Sequence, residues 1–336
     1  MDLIAPVPGT SFNPGPCRLF PAGCSSAVMA EHLPPEVSHE TPLHQVEFAA
    51  GDTYLEILTF EDDRLARLDS YQRIHDFEGN TAYVESTGGE KIIFLCTCGP
   101  HRRHEWAQIS SYGALCKTYV QLKDECREHL TRTGECRTTA GSSSGHIDLR
   151  PLVCNIQIDA ISYDFSGTPY SGSHITDLRA YLINVNSSYP LTSSSPEKPV
   201  QIINQGKLQI DDIDDMADPA IIYAELAKRF DSGMLKPGYN FLCMPNIGTE
   251  GNPGNPPTRL VLEGKIDGHI YYWPINIGHE AQEGIYVAER NHSYIYDIHI
   301  RRKGTSDPDI PISIKTGEIK LKVESWIEKK EYGIEF

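Results

Sequence analysis

The sequence contains no run of about 18 consecutive apolar residues, so it predicts no membrane-spanning helix. Basic residues are scarce as well: the net charge is −16 at pH 7, and Lys and Arg form no extended cluster that would attract a polyanion. We therefore expect no nucleic-acid partner. With 39% hydrophobic and 23% charged residues, the 336-residue chain has the composition of a globular protein.

Motifs that carry familiar chemistry are also missing. The chain has no G-x-S-x-G, P-loop, dinucleotide or H-E-x-x-H motif. Cys96, Cys98, His101 and His104 bring two thiols and two imidazoles together, but their spacing differs from that of the common zinc sites. A cysteine on a strand face usually packs as a small hydrophobe. We therefore predict no catalytic residue, no metal site, no cofactor and no enzymatic activity.

The nine cysteines are too few for a disulfide scaffold in a chain of this length. Disulfides form in an oxidising compartment, but the sequence does not determine which cysteines would pair.

The first 45 residues are rich in Pro, Gly, Ser and Glu, which is typical of a leader and linker. Ala22-Gly23-Cys24 is similar to the end of a lipoprotein signal, although no apolar core precedes it. Two alternatives stay open: Cys24 carries a lipid tether, or it is an ordinary residue. We expect a leader at 1–45, a β-sandwich domain with a helical insertion at 46–150, and a second β-sandwich domain at 151–336.

The sequence predicts strands through most of the chain, among them 54–60, 91–98 and the alternating stretch 153–165, together with 178–186, which alternates less cleanly and is expected to be buried on both faces. Asp267-Gly268 predicts a tight hairpin between 258–264 and 268–277. Helices are expected at 104–130, from an apolar stripe, and at 218–230, from Asp218 and Pro219 as N-terminal signals. The small-residue stretch 133–148 predicts a flexible boundary between the domains. The fold class is therefore mainly β, with a few short helices.

The end of the chain alternates in the same way. Ile319, Leu321 and Val323 alternate with Lys320, Lys322 and Glu324, which predicts a strand with one apolar face. Ile334 and Phe336 continue the apolar positions to the last residue. A strand needs a neighbour for its backbone N–H and C=O groups, and the sequence does not show which strand that is.

Several stretches of the second half together resemble the Bacteroidia-type fimbrillins, the subunits of type V pili. They are Tyr181–Val185, the Pro245-Asn246 pair after an aromatic strand, Thr258–Val261 with Tyr271–Ile275, Tyr294–Ile300, Gly304–Asp309 and Val323–Trp326. Each motif is weak alone, but their order along residues 153–336 is specific.

The resemblance implies two tandem transthyretin-like β-sandwiches, export through the periplasm as an outer-membrane lipoprotein, and a place in a surface fimbrium that supports cell adhesion. The partners it implies are other fimbrial subunits, with the lipid on Cys24 as membrane anchor. Assembly would proceed by strand exchange, in which Ile319, Leu321, Val323, Ile334 and Phe336 fill pockets of another subunit. The alternative is that 319–336 is the last strand of its own sandwich.

The chain departs from the family at the expected processing site. Polymerising subunits carry a basic cleavage site after the first strand, yet no Lys or Arg occurs between Cys24 and Arg64. Arg64 and Arg67 are the candidate processing residues. Without cleavage, the protein would be an anchor or accessory subunit.

Two functions of other classes remain open. A glycan-binding surface lipoprotein would need an exposed aromatic platform, for which Tyr271, Tyr272 and Trp273 are candidates. A secreted hydrolase would need a cleft with a perturbed carboxylate pair.

Overall fold

A computed structural model describes residues 19–20, 40–44, 54–74, 81–85, 87, 89–98, 106–139, 145–193, 195, 197–231, 233–310 and 319–325. The described chain is mainly β with short helical turns, which confirms the predicted fold class. Within these residues, no helix is long and apolar enough to cross a membrane.

The first half of the chain forms two sheets. Its strands are β1 (Leu19–Phe20), β2 (Glu40–His44), β3 (Tyr54–Glu61), β4 (Leu68–Ile74), β5 (Thr81–Glu85), β6 (Lys91–Cys98), β7 (Tyr119–Gln121), β8 (Arg132–Thr138), β9 (Gly145–His146) and β10 (Arg150–Pro151). Sheet I has the order β10-β8-β6-β3-β4, and sheet II has the order β1-β5-β2-β9.

The second half contains fifteen further strands. They are β11 (Cys154–Tyr163), β12 (Ile175–Ile183), β13 (Val185–Asn186), β14 (Ser188–Pro190), β15 (Ile202–Ile203), β16 (Tyr223–Phe230), β17 (Met234–Leu235), β18 (Tyr239–Cys243), β19 (Asn246–Thr249), β20 (Arg259–Ile266), β21 (His269–Asn276), β22 (His279–Gln282), β23 (Ile285–Ala288), β24 (His292–Ile300) and β25 (Ile319–Ser325).

These strands build a β-sandwich from two larger sheets. Sheet III has the order β17-β11-β24-β25, with β18 also paired to β11, and sheet IV has the order β16-β12-β20-β21. Ile156 and Tyr296 of sheet III pack with Leu182 and Leu262 of sheet IV in one apolar core. Smaller ladders join β13 to β15, β14 to β7, and β23 to both β19 and β22.

The predicted hairpin is confirmed. β20 and β21 pair antiparallel from Arg259–Asn276 to Ile266–His269. Asp267 and Gly268 between them have φ values of 51° and 81°. Both lie in the left-handed region that a two-residue hairpin turn of this type requires, and Asp and Gly tolerate it better than other residues.

Both predicted helices are wrong. Residues 106–124 fold as a 3₁₀ turn (Trp106–Gln108), helix α1 (Tyr112–Leu115), strand β7 and a second 3₁₀ turn (Leu122–Asp124). Trp106, Ile109, Leu115 and Leu122 are buried as the apolar stripe suggests, but they lie on separate short elements. Helix α2 (Ile210–Asp214) is the other α-helix among the described residues.

At 218–230, the N-terminal signals begin only a 3₁₀ turn, Pro219–Ile221, in which the Asp218 carboxylate accepts the N–H of Ala220 at 3.1 Å. Residues 223–230 then continue as β16, which pairs with β12. Pairing with a buried strand outweighs the intrinsic helix preference of Ala, Glu, Leu and Lys.

The stretch 133–148 is not a flexible linker in its first part. β8 lies inside sheet I, between β6 and β10. Gly134 is required there, since a Cβ at this position would lie 2.4 Å from the Asp148 carbonyl oxygen. Small residues mark a close backbone approach here, and not a hinge.

Backbone hydrogen bonds and a shared core join the two halves. β7 pairs with β14 through Tyr119–Pro190, Val120–Tyr189 and Gln121–Ser188. Leu58 and Phe60 of sheet I belong to the same apolar cluster as the sandwich of sheets III and IV.

Candidate functional site: the terminal edge strand

β25 lies at the edge of sheet III. It pairs antiparallel with β24, from Ile298–Ile319 to His292–Ser325. No strand of the described residues pairs with its other side. An edge strand with an open row of N–H and C=O groups is a template for pairing with another chain.

The apolar row of β25 is only partly covered. Leu321 and Val323 lie opposite Tyr296 and Tyr294, and residues opposite each other point to the same face of a sheet. The two tyrosines are 1% and 0% exposed, whereas Leu321 and Val323 are 39% and 42% exposed. Ile319, at the start of the strand, packs against the core.

The opposing sheet explains this difference. The Tyr296 hydroxyl donates to the carbonyl oxygen of Asn276 on β21, so β24 lies across from β21. β21 is the last strand of sheet IV, and β25 is one strand further out. Leu321 and Val323 therefore extend beyond the sheet that covers their neighbours.

Sheet IV has a protected edge, in contrast to β25. Tyr272 on β21 exchanges two backbone hydrogen bonds with Thr305, at 3.0 and 2.8 Å. Pro274 further along the strand has no N–H to offer. A Cβ on Gly304 would lie 2.0 Å from the Tyr272 carbonyl oxygen, so only glycine fits beside this strand.

The other face of β25 is charged. Lys320, Lys322 and Glu324 are all exposed, and Lys322 pairs with Glu324. The strand thus presents an apolar row and a charged row, and the charged row needs water or an acidic partner.

The candidate processing residues lie on a surface turn. Arg64 and Arg67 are exposed between β3 and β4. The Asp63 carboxylate accepts the N–H groups of Leu65 at 2.9 Å and Ala66 at 2.7 Å, which shapes the turn. Arg67 is tied further into the fold, because its carbonyl accepts the Glu61 N–H at 3.0 Å.

The strand before this turn is enclosed on both faces. β3 lies between β6 and β4. Leu55 and Ile57 pack into one core, and Leu58 and Phe60 pack into the other, with at most 1% of each side chain exposed. Glu56 is also buried, and it accepts hydrogen bonds from Tyr71 and from Arg73, both at 2.7 Å.

A cavity of about 450 Å³ lies where the two halves meet, and Thr133, Arg290 and Ser325 are among its lining residues. The Arg290 guanidinium donates to carbonyl oxygens of both halves, those of Arg150, Pro151 and Thr133 and that of Ser193. Burial lowers the pKa of Arg290 to about 10, which still leaves it charged at neutral pH. Sequence reasoning missed this residue, because its partners are backbone atoms of distant segments.

Solved structures from the genera Bacteroides and Porphyromonas share this fold. A candidate cell adhesion protein from Bacteroides eggerthii superposes with a TM-score of 0.60 at 16% identity, covering 85% of this chain and 94% of its own. The fimbrilin FimA from Porphyromonas gingivalis gives a TM-score of 0.57 at 13% identity, covering 85% and 96%. The chain has the fimbrillin fold.

The tip fimbrial protein Mfa3 of Porphyromonas gingivalis, with a C-terminal truncation, shares the fimbrillin fold at a TM-score of 0.52 and 14% identity, covering 86% of this chain and all of that one. No family model and no curated protein sequence matches the chain. The similarity to these solved structures confirms the fold that the sequence resemblance implies.

Within the fimbrillin fold, the aromatic platform of the glycan-binding alternative does not form. Trp273 is 6% exposed, and its indole N–H donates to the Arg302 carbonyl at 3.0 Å. Tyr271 and Tyr272, as neighbours on β21, point to opposite faces. The ammonium of Lys303 lies 5.4 Å from the centre of the Tyr271 ring.

Several candidates lie outside the described residues: Cys24, His101, His104, Ile334 and Phe336. Cys96 is buried in the apolar core beside Phe94, as expected of a cysteine that packs as a hydrophobe. Within the described parts of the chain, no group of three His, Cys, Asp or Glu side chains is arranged to hold a metal ion.

Proposed function

We propose that this protein is a non-enzymatic structural subunit of a surface fimbrium that supports cell adhesion. It would pass through the periplasm, and its partners would be other fimbrial subunits. The fimbrillin fold supports the role, because FimA and Mfa3, a fimbrilin and a tip fimbrial protein, share it. In this proposal, 46–150 and 151–336 are the two β-sandwich domains.

One observation carries the mechanism: β25 combines an open backbone edge with a half-exposed apolar row. Strand pairing between subunits would use the backbone for affinity and Leu321 and Val323 for specificity. Covering the 39% and 42% of these side chains that are exposed would contribute about 1 kcal/mol each. The gain is small, so the backbone hydrogen bonds and the residues after Ser325, including Ile334 and Phe336, would supply the rest.

The chemistry of the two strands favours a partner other than a second copy. Strand exchange between identical subunits would place β25 in the slot that β3 occupies. Apart from Tyr71 and Arg73, which bond to Glu56 in the intact protein, apolar side chains line that slot on both faces, whereas β25 has Lys320 and Lys322 on one face. Burying two ammonium groups without carboxylate partners costs several kcal/mol.

An anchor or accessory role follows from this mismatch. A subunit that keeps β3 in place and offers β25 to a different subunit would end a polymer and would not repeat within it. A lipid on Cys24 would fix such a subunit to the outer membrane.

The test is a double variant, Leu321→Asp with Val323→Asp, compared with Lys320→Asp and Lys322→Asp as the matched control on the other face. Lys320 and Lys322 are exposed and Leu321 and Val323 are half-exposed, so we expect both proteins to fold, the apolar-face variant with a modestly lower urea midpoint. Only the apolar-face variant should be lost from sheared fimbriae on immunoblots. Normal incorporation of that variant would reject β25 as the assembly strand.

A further inference from the structure

Two cysteines lie directly opposite each other in sheet III. Cys154 opens β11, Cys243 closes β18, and the two residues pair across the antiparallel ladder. Both are 0% exposed, and the structure holds both as thiols. Opposed residues of antiparallel strands have Cα atoms about 4.5–5.5 Å apart, which is inside the range of about 4.4–6.8 Å that disulfides span.

The two thiols also interact. Burial raises the pKa of the Cys154 thiol well above its ordinary value, and the hydrogen bond with the Cys243 thiol is the next cause. The Cys154 sulfur lies 3.0 Å from the Glu289 carbonyl oxygen. The two sulfurs are therefore neighbours in the folded protein.

We propose that Cys154 and Cys243 form a cross-strand disulfide in the mature protein. The bond would join β11, an inner strand of sheet III, to β18 and would close a loop that contains β12 and β16 of sheet IV. Cross-linking so long a loop restricts the unfolded chain strongly. The disulfide would therefore stabilise the sandwich while its edge strand, β25, is free to pair with another chain.

The oxidant is a disulfide-bearing molecule, such as oxidised glutathione or a thiol oxidoreductase. One cysteine thiolate attacks a sulfur of the oxidant, which releases one thiol and leaves a mixed disulfide. The second cysteine thiolate then attacks the protein sulfur of that bond and releases the other thiol. The two cysteines lose two electrons, the oxidant gains them, and the two thiol protons finish on its two sulfurs.

Burial sets the order of events. A fully covered thiol cannot meet an oxidant, so the bond must form while the chain folds. The supply of oxidant in the cell rests on the proposed export of the chain, but the pairing itself does not. It is therefore testable on purified protein, independently of any role in fimbriae.

The experiment is refolding of the reduced, unfolded chain with oxidised and reduced glutathione, followed by thiol counting and a non-reducing peptide map. We expect two fewer free thiols than in protein refolded with reductant, and one linked peptide pair that contains Cys154 and Cys243. Native, already folded, reduced protein given the same oxidant should keep both thiols.

The matched variants are Cys243→Ala and Cys136→Ala. Cys136 lies opposite Ile93 in sheet I, so its loss should leave the linked peptide pair unchanged, whereas Cys243→Ala should abolish it. The wild-type peptide map does not depend on how well a variant folds. A map in which both cysteines stay reduced, or in which either pairs with another cysteine, would overturn the proposal.

Discussion

The guanidinium of Arg290 donates a hydrogen bond to the carbonyl oxygen of Arg150 at 2.7 Å. The same side chain reaches the Ser193 carbonyl at 2.9 Å and the Thr133 hydroxyl at 3.1 Å. One cation thus satisfies acceptors on segments that are far apart in sequence. Its removal would take the guanidinium donor away from several part-buried carbonyl groups, and each such loss is destabilising.

We predict that Arg290→Met lowers the free energy of unfolding by about 3 kcal/mol, because the hydrogen bonds at the junction are lost together. Urea denaturation, monitored by circular dichroism, measures this change in the free energy of unfolding. Arg150→Met is the control: Arg150 is exposed and pairs with exposed Asp148, at 3.2 Å, so its loss should cost less than about 0.5 kcal/mol. Equal effects of the two substitutions would contradict the role of Arg290.

Gly304 protects the edge of sheet IV, and we predict that Gly304→Ala both destabilises the protein and promotes self-association. The added Cβ would lie 2.0 Å from the Tyr272 carbonyl oxygen and force residues 304–305 away from β21. The uncovered strand edge is then free to pair with another molecule. We expect a loss of about 2 kcal/mol in urea denaturation and an increase in light scattering.

Gly172→Ala is the control for this substitution. Beyond the two adjacent residues, no atom lies within 4 Å of a Cβ built at Gly172. It should leave both the urea midpoint and the scattering unchanged. An unaltered Gly304→Ala protein would show that residues 304–305 do not guard this edge.

The sequence predicts elements whose conformation depends on adjacent residues better than elements whose conformation depends on a distant partner. The hairpin at β20 and β21 follows from Asp267-Gly268, because the turn conformation depends on those two residues alone. The sequence predicts a helix for the residues of β16 because their strand conformation comes from pairing with β12, whose paired residues lie 42 to 55 positions earlier. Local preference carries no information about that partner.

The same limit applies to the candidate site. Alternation identifies β25 as a strand with one apolar face. Its half-exposed side chains depend on where sheet IV ends, at β21, and no pattern within 319–325 records that. The sequence does not predict the exposure of Arg64 either. A basic residue after a strand lies on an open turn or within a strand ladder, and which of the two forms depends on the strands that pack around it.

We predict that trypsin cleaves after Arg64 roughly tenfold faster than after Arg67, because cleavage needs local opening of the chain. Around Arg67, the carbonyl accepts the Glu61 N–H and the next N–H donates to the Ser110 carbonyl, both at 3.0 Å. Timed digestion with mass spectrometry gives the order of cuts. Arg64→Ala should remove the first cut and Arg67→Ala should not; the reverse order would place the processing site at Arg67.

Stability should fall at alkaline pH. Burial raises the pKa of Tyr294 and Tyr296 on β24 above the ordinary value, and it raises the pKa of Cys136 to about 11. The unfolded chain releases these protons at lower pH than the folded one. The stabilisation is therefore complete below the unfolded pKa values, about 9 for Cys and 10 for Tyr, and it is lost as pH rises through the folded values.

The measurement is the urea midpoint at several pH values between about 8 and 11, together with tyrosinate absorbance. Tyr296→Phe removes one titrating group and should reduce the alkaline loss, whereas Tyr119→Phe, at a side chain that is 41% exposed, should not. A midpoint that stays constant over this range would show that the buried tyrosines do not control alkaline unfolding.

The two faces of β3 and β25 give the last prediction. In a chain cut after Arg64, a synthetic peptide of Tyr54–Glu61 should compete for the slot between β6 and β4, since its side chains fit both cores. A peptide of Ile319–Ser325 should bind at least about tenfold more weakly, because Lys320 and Lys322 would enter an apolar core. Fluorescence anisotropy of labelled peptides measures both. Replacing the two lysines by isoleucine should restore binding of the second peptide, whereas equal binding of the two unmodified peptides would mean that copies of this chain can polymerise with one another.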